Sequence, residues 1–380
     1  MKFLIFARDF APQIGGVQNF LANFAAVLPP QDVVVLTRKS DGWRLFDAAA
    51  PYSIIRMPDT SRLPGPIEIV VRALLSLIWF VATLIKVRPD MVLCGYAKGN
   101  APFGYLAKLL FRIPYAVFTY GTDVMRYRHK GGRAIRFWLR HADLVATIND
   151  DLHDVLEHFT QGQTRIVTIP LGTGVSGTVE GEIAQQAAGV SLEGKQVLLT
   201  VCRLTPRKGV DRTIEAMALL QDKHPNLVYV VAGSGDDRAR LQKIAADQGV
   251  SERVIFAGRV SDEQLLSLYR RADAFILASR IEGDDVEGFG IVFIEAGAFG
   301  VPVIGGDSGG VRQAVGHERN GLLVDPNKPQ AIADAVNRLL TDTELASKLG
   351  AEGKRLAGEV FTWEQCRDVF LAAIPKSLSK

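Results

Sequence analysis

The chain has 380 residues, of which 48% are hydrophobic and 22% are charged, and its formal net charge is +3 at pH 7. This composition is typical of globular proteins and excludes a disordered chain, and so small a net charge gives no reason to expect nucleic-acid binding. The length predicts two domains rather than one. Residues 1–170 hold 20 Lys and Arg against 13 Asp and Glu, a net charge of +7, so the remainder carries −4. We therefore expect any anionic surface or substrate to meet the first half.

The apolar N-terminal run MKFLIF lacks a small-residue cleavage site, so it indicates a first β-strand rather than a signal peptide, and we expect a cytoplasmic chain. The three cysteines, Cys94, Cys202 and Cys366, are far apart and form no C-x-x-C pair. This spacing predicts neither a disulfide framework nor a structural zinc site.

Short runs rich in Val, Ile and Leu alternate with helix-like stretches, as expected for parallel strands buried on both faces. The runs are Lys2–Ala7, Asp32–Thr37, Met91–Cys94, Tyr115–Thr119, Leu144–Ile148, Arg165–Ile169, Gln196–Cys202, Leu227–Ala232, Arg253–Ala257, Ala274–Ala278 and Val301–Gly305. They predict two doubly wound α/β domains, residues 1–170 and 196–361. The Gly-, Ser- and Thr-rich segment 171–195 is the predicted linker, and residues 362–380 hold a final helix.

Two segments of the first half raise the question of a membrane. Ala73–Ile85 is an uncharged apolar run that is too short to predict a transmembrane helix, so it is either a buried core helix or a helix lying in a membrane interface. Val124–His141 carries six Lys and Arg, no acid and three aromatic residues. It fits either an anionic membrane surface or a solvated helix face with a phosphate-binding corner.

Glycines and cations follow several predicted strands. Gly15 and Gly16 lie between the first strand and a helix, where backbone N–H groups can meet an anion. Arg203 and Lys208 follow the strand QVLLTV, and two cations there can hold a diphosphate. The glycines of Gly233-Ser234-Gly235 lack the third glycine of a dinucleotide fingerprint, so we exclude a nicotinamide or flavin cofactor.

The segment 282–300 holds the strongest pattern. Glu287 and Glu295 flank the turn Gly288-Phe289-Gly290 at the start of a predicted helix. Two carboxylates in this arrangement can accept hydrogen bonds from two hydroxyl-bearing parts of one ligand. No Asp-x-Asp pair is present to hold a metal-bound diphosphate, so we expect no metal.

In this order and spacing, these motifs resemble the retaining glycosyltransferases of family 4, and the resemblance covers nearly the whole chain. It implies the GT-B fold, in which two Rossmann-like domains face each other across a cleft, and a final helix that returns to the N-terminal domain. It also implies hexosyl transfer from a nucleotide-diphosphate sugar, GDP- or UDP-linked, without a metal or other cofactor. The stretch DVEGFGIVFIEAGAFGVPVIGG is similar to bacterial mannosyltransferases of the phosphatidylinositol-mannoside type.

The resemblance also implies roles for single residues. Arg203 and Lys208 would hold the donor diphosphate, which Gly15 and Gly16 would approach from the other domain. Glu287 and the amides of Gly288, Phe289 and Gly290 would position the donor sugar, with Glu287, Arg203 and Lys208 as the catalytic set. The remaining donor contacts are assigned to Glu295 for the ribose, Val260 for the base and Gly233 for the nucleotide.

Two positions depart from the family pattern, one on the acceptor side and one after the late turn Gly309-Gly310. A related motif reads His-Gly-Thr-Asp where this chain has Tyr120-Gly121-Thr122-Asp123, and Gln313 stands where Glu is frequent. We assign Tyr120, Asp123 and Arg126 to the acceptor, a lipid or a cell-envelope glycan. An anionic membrane is the expected partner surface, on the inner face of the plasma membrane. Two alternatives stay open, a nucleotide-sugar epimerase of the same fold and a non-catalytic protein that binds sugar nucleotides or lipids.

Overall fold

The computed structural model describes residues 1–13, 15–60, 65–127, 132–175, 183–283 and 285–378. They form two compact units, Met1–Leu171 with Trp363–Lys380, and Gly172–Thr362. Each unit contains a parallel sheet with helices, so the predicted architecture of two doubly wound α/β domains is confirmed.

The first unit contains a seven-stranded parallel sheet with the order β3-β2-β1-β4-β5-β6-β7. Its strands are β1 (Phe3–Phe6), β2 (Val33–Arg38), β3 (Ser53–Met57), β4 (Met91–Cys94), β5 (Tyr115–Thr119), β6 (Leu144–Thr147) and β7 (Arg165–Thr168). The central strand β1 is paired on both sides, with Phe3 opposite Val33 and Met91. The strand order reverses between β1 and β4, where doubly wound sheets bind ligands.

The helices of this unit are α1 (Gly16–Val27), α2 (Trp43–Ala49), α3 (Gly65–Val87), α4 (Ala97–Phe111), α5 (Thr122–Met125), α6 (Arg133–Arg140) and α7 (His153–Thr160). Phe6 of β1 packs against the rings of Phe80 and Phe103, with centroids 5.1 and 4.7 Å away. Burying each such ring contributes about 1.5–3 kcal/mol, so these contacts fasten α3 and α4 to the sheet.

The second unit begins inside the predicted linker. Residues 183–195 include a short antiparallel hairpin, β8 (Gln186–Ala187) and β9 (Val190–Ser191). Leu192 is fully buried, and its carbonyl accepts a hydrogen bond from Arg271 at 2.9 Å. This part of the Gly-rich segment is therefore fixed to the second unit; residues 176–182 lie outside the described residues.

The second sheet has six parallel strands in the order β12-β11-β10-β13-β14-β15. They are β10 (Gln196–Val201), β11 (Leu227–Ala232), β12 (Val254–Gly258), β13 (Ala274–Leu277), β14 (Val303–Gly306) and β15 (Gly321–Val324). Its helices are α8 (Val210–Leu219), α9 (Arg238–Asp247), α10 (Asp262–Arg271), α11 (Ile291–Ala298), α12 (Val311–Ala314), α13 (Pro329–Thr341) and α14 (Thr343–Glu359). Here the order reverses between β10 and β13.

The last helix, α15 (Trp363–Ala373), packs on the first unit. The ring of Phe370 lies 5.2 Å from that of Phe24 on α1, and Arg367 donates a hydrogen bond to the carbonyl of Val27 at 3.1 Å. The chain thus leaves its first unit once and returns to it after the second.

Helix α3 is longer than the apolar run predicted, and it is more exposed than a buried core helix would be. It has 23 residues rather than the 13 of the uncharged run, and by length and composition alone it could cross a membrane. Only Ser76, Phe80, Thr83 and Leu84 are buried. Its exposed large apolar side chains are Ile67, Ile69, Val70, Leu74, Leu77, Ile78 and Ile85. All of them except Ile69 lie on one side of the helix, and we call these six the α3 apolar face. The interpretation as a buried core helix is therefore wrong.

Candidate active site

Loops that follow the strands of the second sheet are in direct backbone contact. A Cβ atom on Gly233 would lie 1.8 Å from the carbonyl oxygen of Cys202, and one on Gly235 would lie 2.2 Å from that of Leu204. The Leu204 N–H donates a hydrogen bond to the Ser234 carbonyl at 3.0 Å. These glycines therefore bring the loops after β10 and β11 together, because no side chain fits between them.

Lys208 and Glu287 meet at this edge of the sheet. The Lys208 ammonium lies 2.5 Å from Oε2 of Glu287, and the guanidinium of Arg207 donates to the same oxygen at 2.9 Å. Glu287 is buried, with 9% of its surface exposed. Burial alone would raise the pKa of Glu287, but Lys208 and Arg207 outweigh it, so the pKa lies below its ordinary value. Glu287 is therefore a carboxylate at neutral pH.

Arg207 is a site residue that the sequence analysis missed. Its guanidinium is largely buried and also lies 3.1 Å from Asp285. The available signal was its place beside Lys208 in the turn Pro206–Lys208, where it is one of two consecutive cations. Arg203 behaves differently: its side chain is exposed, and it makes no ion pair within the described part of the chain. Lys208, Glu287 and Arg207 thus form a cluster, and Arg203 lies outside it; that Arg203 and Lys208 hold a diphosphate stays a prediction.

The turn after Glu287 leads into α11. Gly290 is the N-terminal cap of this helix and has φ +82°, a conformation that favours glycine. The side chain of Phe289 is buried and its ring lies 5.6 Å from that of Phe361, so only its backbone can serve a ligand. The Gly310 N–H donates to the Glu287 carbonyl at 2.9 Å, so the Gly309-Gly310 turn holds the Glu287 loop in place.

Glu295 lies on α11 and has one side-chain partner that the sequence did not indicate. The hydroxyl of Tyr269, from α10, donates to Oε2 of Glu295 at 2.8 Å. Burial raises the pKa of Glu295, and the Tyr269 hydrogen bond opposes that rise. Tyr269 itself is fully buried and stacks on Phe299, with ring centroids 5.8 Å apart. The tyrosine therefore fixes one carboxylate oxygen.

An ion-pair network centred on the buried Asp211 supports the same loops, and the sequence analysis missed it. Arg280, after β13, binds both oxygens of Asp211 at 2.8 and 3.0 Å. Arg240 binds Asp211 at 3.2 Å and Asp237 at 2.6 and 2.7 Å. Because Asp211 opens α8 just after Lys208, this network ties three loop regions together. Removing one partner of the largely buried Arg280–Asp211 pair typically costs about 3–5 kcal/mol, whereas the Arg240 pairs are more exposed.

Val260 follows β12, as expected for a residue near a nucleotide base. It lines a cavity of about 460 Å³ together with Arg259 and residues 183–189 of the hairpin segment. Among the described residues, no group of three or more His, Cys, Asp or Glu side chains is arranged to hold a metal ion.

The predicted residues of the first unit lie at the carboxyl ends of its strands. Gly15 caps α1, and a Cβ atom on Gly16 would meet nothing within 4 Å. Oδ1 of Asp123 accepts hydrogen bonds from the N–H groups of Tyr120 and Gly121 at 3.0 and 3.1 Å. Burial raises the pKa of Asp123 and of Tyr120. The Asp123 carboxylate thus stabilises its own loop through these hydrogen bonds. Arg126, in contrast, is exposed.

Part of the basic segment Val124–His141 is structural. The guanidinium of Arg136 lies 4.7 Å from the Phe159 ring centroid, and Ile135 and Leu139 are buried. Arg133 and Phe137 are exposed on α6. Residues 128–131 of this segment lie outside the described residues.

Comparison with known proteins places these features in a family. The family model described as glycosyl transferases group 1 matches residues 183–356, and the glycosyl transferase 4-like domain matches residues 15–172. A GDP-mannose-dependent alpha-(1-6)-phosphatidylinositol monomannoside mannosyltransferase of Mycobacterium tuberculosis is 30% identical, covering 96% of this chain and 95% of that protein. A GDP-mannose-dependent monoacylated alpha-(1-6)-phosphatidylinositol monomannoside mannosyltransferase of Corynebacterium glutamicum is 28% identical over the same shares.

Solved structures support the fold. Anabaena HepE, crystallised with UDP, has a TM-score of 0.79 at 19% identity over 100% of both chains. Sucrose-phosphate synthase from Thermosynechococcus elongatus has a TM-score of 0.78 at 22% identity, covering 100% of this chain and 99% of that one. With its two matched domains and its full-length relatives, the chain belongs to the family 4 (group 1) glycosyltransferases of GT-B fold.

Proposed function

We propose that this protein transfers a mannosyl group, with retention of configuration and without a metal, from GDP-mannose to a hydroxyl of a lipid-linked acceptor. The observation that carries the proposal is the Lys208–Glu287–Arg207 cluster at the switch point of the second sheet, together with the exposed Arg203 that follows the same strand as Lys208. The choice of donor and acceptor class is supported by the 30% identity to the Mycobacterium tuberculosis mannosyltransferase.

The cluster explains how a diphosphate could leave. Glu287 holds the Lys208 ammonium at a fixed place, so this charge needs no reorganisation during the reaction. Arg203 adds an exposed guanidinium that can bind two diphosphate oxygens at once. In the proposed step, the bond between the sugar C1 and the diphosphate oxygen breaks while C1 bonds to the acceptor oxygen on the same face. The acceptor proton passes to a diphosphate oxygen, so no side chain has to accept it.

Glu287 acts in this proposal as a binding and positioning group, not as an acid. Its lowered pKa keeps it ionised, and one of its oxygens is shared by two cations. The other oxygen can accept a hydrogen bond from a sugar hydroxyl. Glu295, held by Tyr269, is proposed to bind the ribose in the same way, with Val260 beside the base, while Tyr120, Asp123 and Arg126 serve the acceptor.

A lipid acceptor requires that the enzyme reach a membrane. The α3 apolar face exposes six large apolar side chains, and the first half of the chain carries the net charge of +7. Apolar area combined with nearby cations is the pair of signals that gives stable but reversible membrane attachment. We therefore propose peripheral binding to an anionic bilayer on its cytoplasmic side.

A ligand screen followed by a transfer assay tests the proposal. We expect GDP-mannose and GDP to raise the melting temperature more than UDP-glucose and UDP, since a ligand that binds only the folded state stabilises it. With phosphatidylinositol vesicles, GDP-mannose should yield an α-mannosylated lipid, whose anomeric configuration NMR reports. Conversion of GDP-mannose without acceptor would instead identify an epimerase. Binding without any turnover across lipid acceptors would identify a non-catalytic protein.

A further inference from the structure

An arginine of the first unit occupies the place that Arg203 occupies in the second. Arg8 lies two residues after the last residue of β1, and Arg203 lies two residues after the last residue of β10. Each of these strands is the one at which its sheet order reverses, β1 beside β4 and β10 beside β13. Both arginines therefore stand where doubly wound sheets bind their ligands.

The side chain of Arg8 is held by packing, and it forms no ion pair among the described residues. Its guanidinium lies 5.8 Å from the Phe103 ring centroid, on α4. A Cβ atom on Gly99 would come within 3.3 Å of Nη1, so the glycine in the break of α4 leaves room for the guanidinium. Its Nε is buried and has no hydrogen-bond partner, and the guanidinium forms no ion pair, within the described residues.

The acid that acts on Arg8 is already used by other groups. The Asp9 carboxylate accepts a hydrogen bond from the Tyr96 hydroxyl at 3.0 Å and forms an ion pair with Arg38. Burial, Arg72 and Arg38 lower the pKa of Arg8, while Tyr96 and Asp9 raise it. An added anion would therefore stabilise the charged form of Arg8.

We propose that Arg8 binds a phosphate group of the acceptor at the β1–β4 switch point. A guanidinium fork fits two oxygens of a phosphate, and the ligand class is a phosphomonoester or phosphodiester, borne either by a lipid headgroup or by a free polyol. The inference rests on the proposed transferase function, because it assigns this anion to the acceptor and not to the donor. It adds to that function a residue that fixes the acceptor by its phosphate.

Calorimetric titration of the full chain tests the proposal with two probes. Glycerol 3-phosphate represents a free phosphorylated polyol, and dihexanoyl-phosphatidylglycerol below its micelle concentration represents a lipid phosphodiester. Arg8→Ala should weaken binding of at least one probe by roughly 10- to 100-fold, the factor that a hydrogen bond to a charged group provides. Arg8→Gln, which keeps the stem over Phe103, should do the same if the alanine variant is unstable. Arg44→Ala is the matched control, since Arg44 is an exposed arginine of the same unit.

GDP binding separates this inference from the proposed function. We expect both Arg8 variants to bind GDP as the parent protein does. A loss confined to glycerol 3-phosphate would support a free polyol phosphate, and one confined to the lipid probe would support a headgroup. Unchanged affinity of both Arg8 variants for both probes, or no binding of either probe by the parent protein, would overturn the inference. A loss of GDP affinity instead would overturn it by assigning Arg8 to the donor. Failure of mannosyl transfer alone would overturn only the proposed function.

Discussion

Replacing Tyr269 by Phe tests whether the half-buried Glu295 carboxylate serves the ribose. The change removes only the hydroxyl that donates to Oε2 at 2.8 Å, and the ring keeps its stack on Phe299. A hydrogen bond to a charged group contributes about 1.5–3 kcal/mol, so we expect that loss of stability. For a unit of this size it corresponds to a melting temperature lower by about 3–12 °C.

The functional consequence follows from the pKa. Burial already raises the pKa of Glu295 and Tyr269 opposes it, so the variant should have a still higher pKa. Burial thus favours the protonated form of the Glu295 carboxyl in the folded state. A protonated carboxyl has one position fewer at which it can accept a hydrogen bond from the ribose. We therefore expect GDP affinity to fall on acidification, and to begin falling at a higher pH in Tyr269→Phe than in the parent protein.

Calorimetric titration with GDP and 2′-deoxy-GDP provides the readout. The parent protein should prefer GDP, and Tyr269→Phe should lose most of this preference. Tyr229→Phe is the matched control, because the fully buried Tyr229 hydroxyl bonds Thr200 at 2.8 Å inside the same unit. It should lose stability without losing the ribose preference. Equal GDP-to-deoxy-GDP ratios in the parent protein and in Tyr269→Phe would refute the reasoning.

Three further predictions concern the cluster, the metal and the membrane. Glu287→Gln should destabilise the protein by about 3–5 kcal/mol at pH 7, because two largely buried cations lose their shared partner. Since folding lowers the pKa of Glu287, the difference in unfolding free energy between the two proteins should shrink as the pH falls below about 4.3. Urea unfolding measures this difference, and a difference that stays constant with pH would contradict the prediction. Transfer activity should persist in excess EDTA, because Lys208 and Arg203 offset the diphosphate charge; abolition by EDTA with rescue by Mg²⁺ would contradict it. Ile67→Ser with Leu74→Ser and Ile78→Ser should reduce sedimentation with anionic vesicles, whereas Leu45→Ser, which changes an exposed leucine of α2, should not. Arg126→Glu with Arg133→Glu should weaken vesicle binding by about 1 kcal/mol per charge removed, and equal binding to neutral vesicles would contradict the electrostatic part.

The sheets were predictable because parallel strands are buried on both faces and therefore read as apolar runs. Each predicted strand is present, with ends shifted by at most two residues. The two missed strands of the sheets show the limit of this signal. β3 contains Arg56, whose side chain is 3% exposed and forms an ion pair with Asp47 at 2.7 Å. β15 begins with Gly321 and has only four residues, so neither strand has a long apolar run.

Features of the candidate site that depend on residues close together in the sequence were predictable. Contacts that depend on the fold, between residues far apart in the sequence, were not. Glycine and cation motifs indicated the loops around Lys208 and Glu287, whose side chains meet 2.5 Å apart. No local pattern brings Tyr269 to Glu295 across 26 positions, or Arg280 to Asp211 across 69. These partners follow from strand order, because the sheet places the ends of distant strands side by side.

The last prediction concerns two glycines. One occupies a space too small for a side chain, and the other would let a ligand approach the backbone. Gly209 has φ +69°, and its Cβ would lie 1.8 Å from the Ala278 carbonyl oxygen, so Gly209→Ala should destabilise the second unit. Gly16 opens α1 and its Cβ would meet nothing, so Gly16→Ala should leave stability unchanged or raise it by up to about 1 kcal/mol. If Gly16 is present to let the diphosphate approach the backbone, this stable variant should still lose transfer activity. Thermal melting and initial rates measured on both variants separate the two needs, and full activity of Gly16→Ala would show that nothing approaches α1 there.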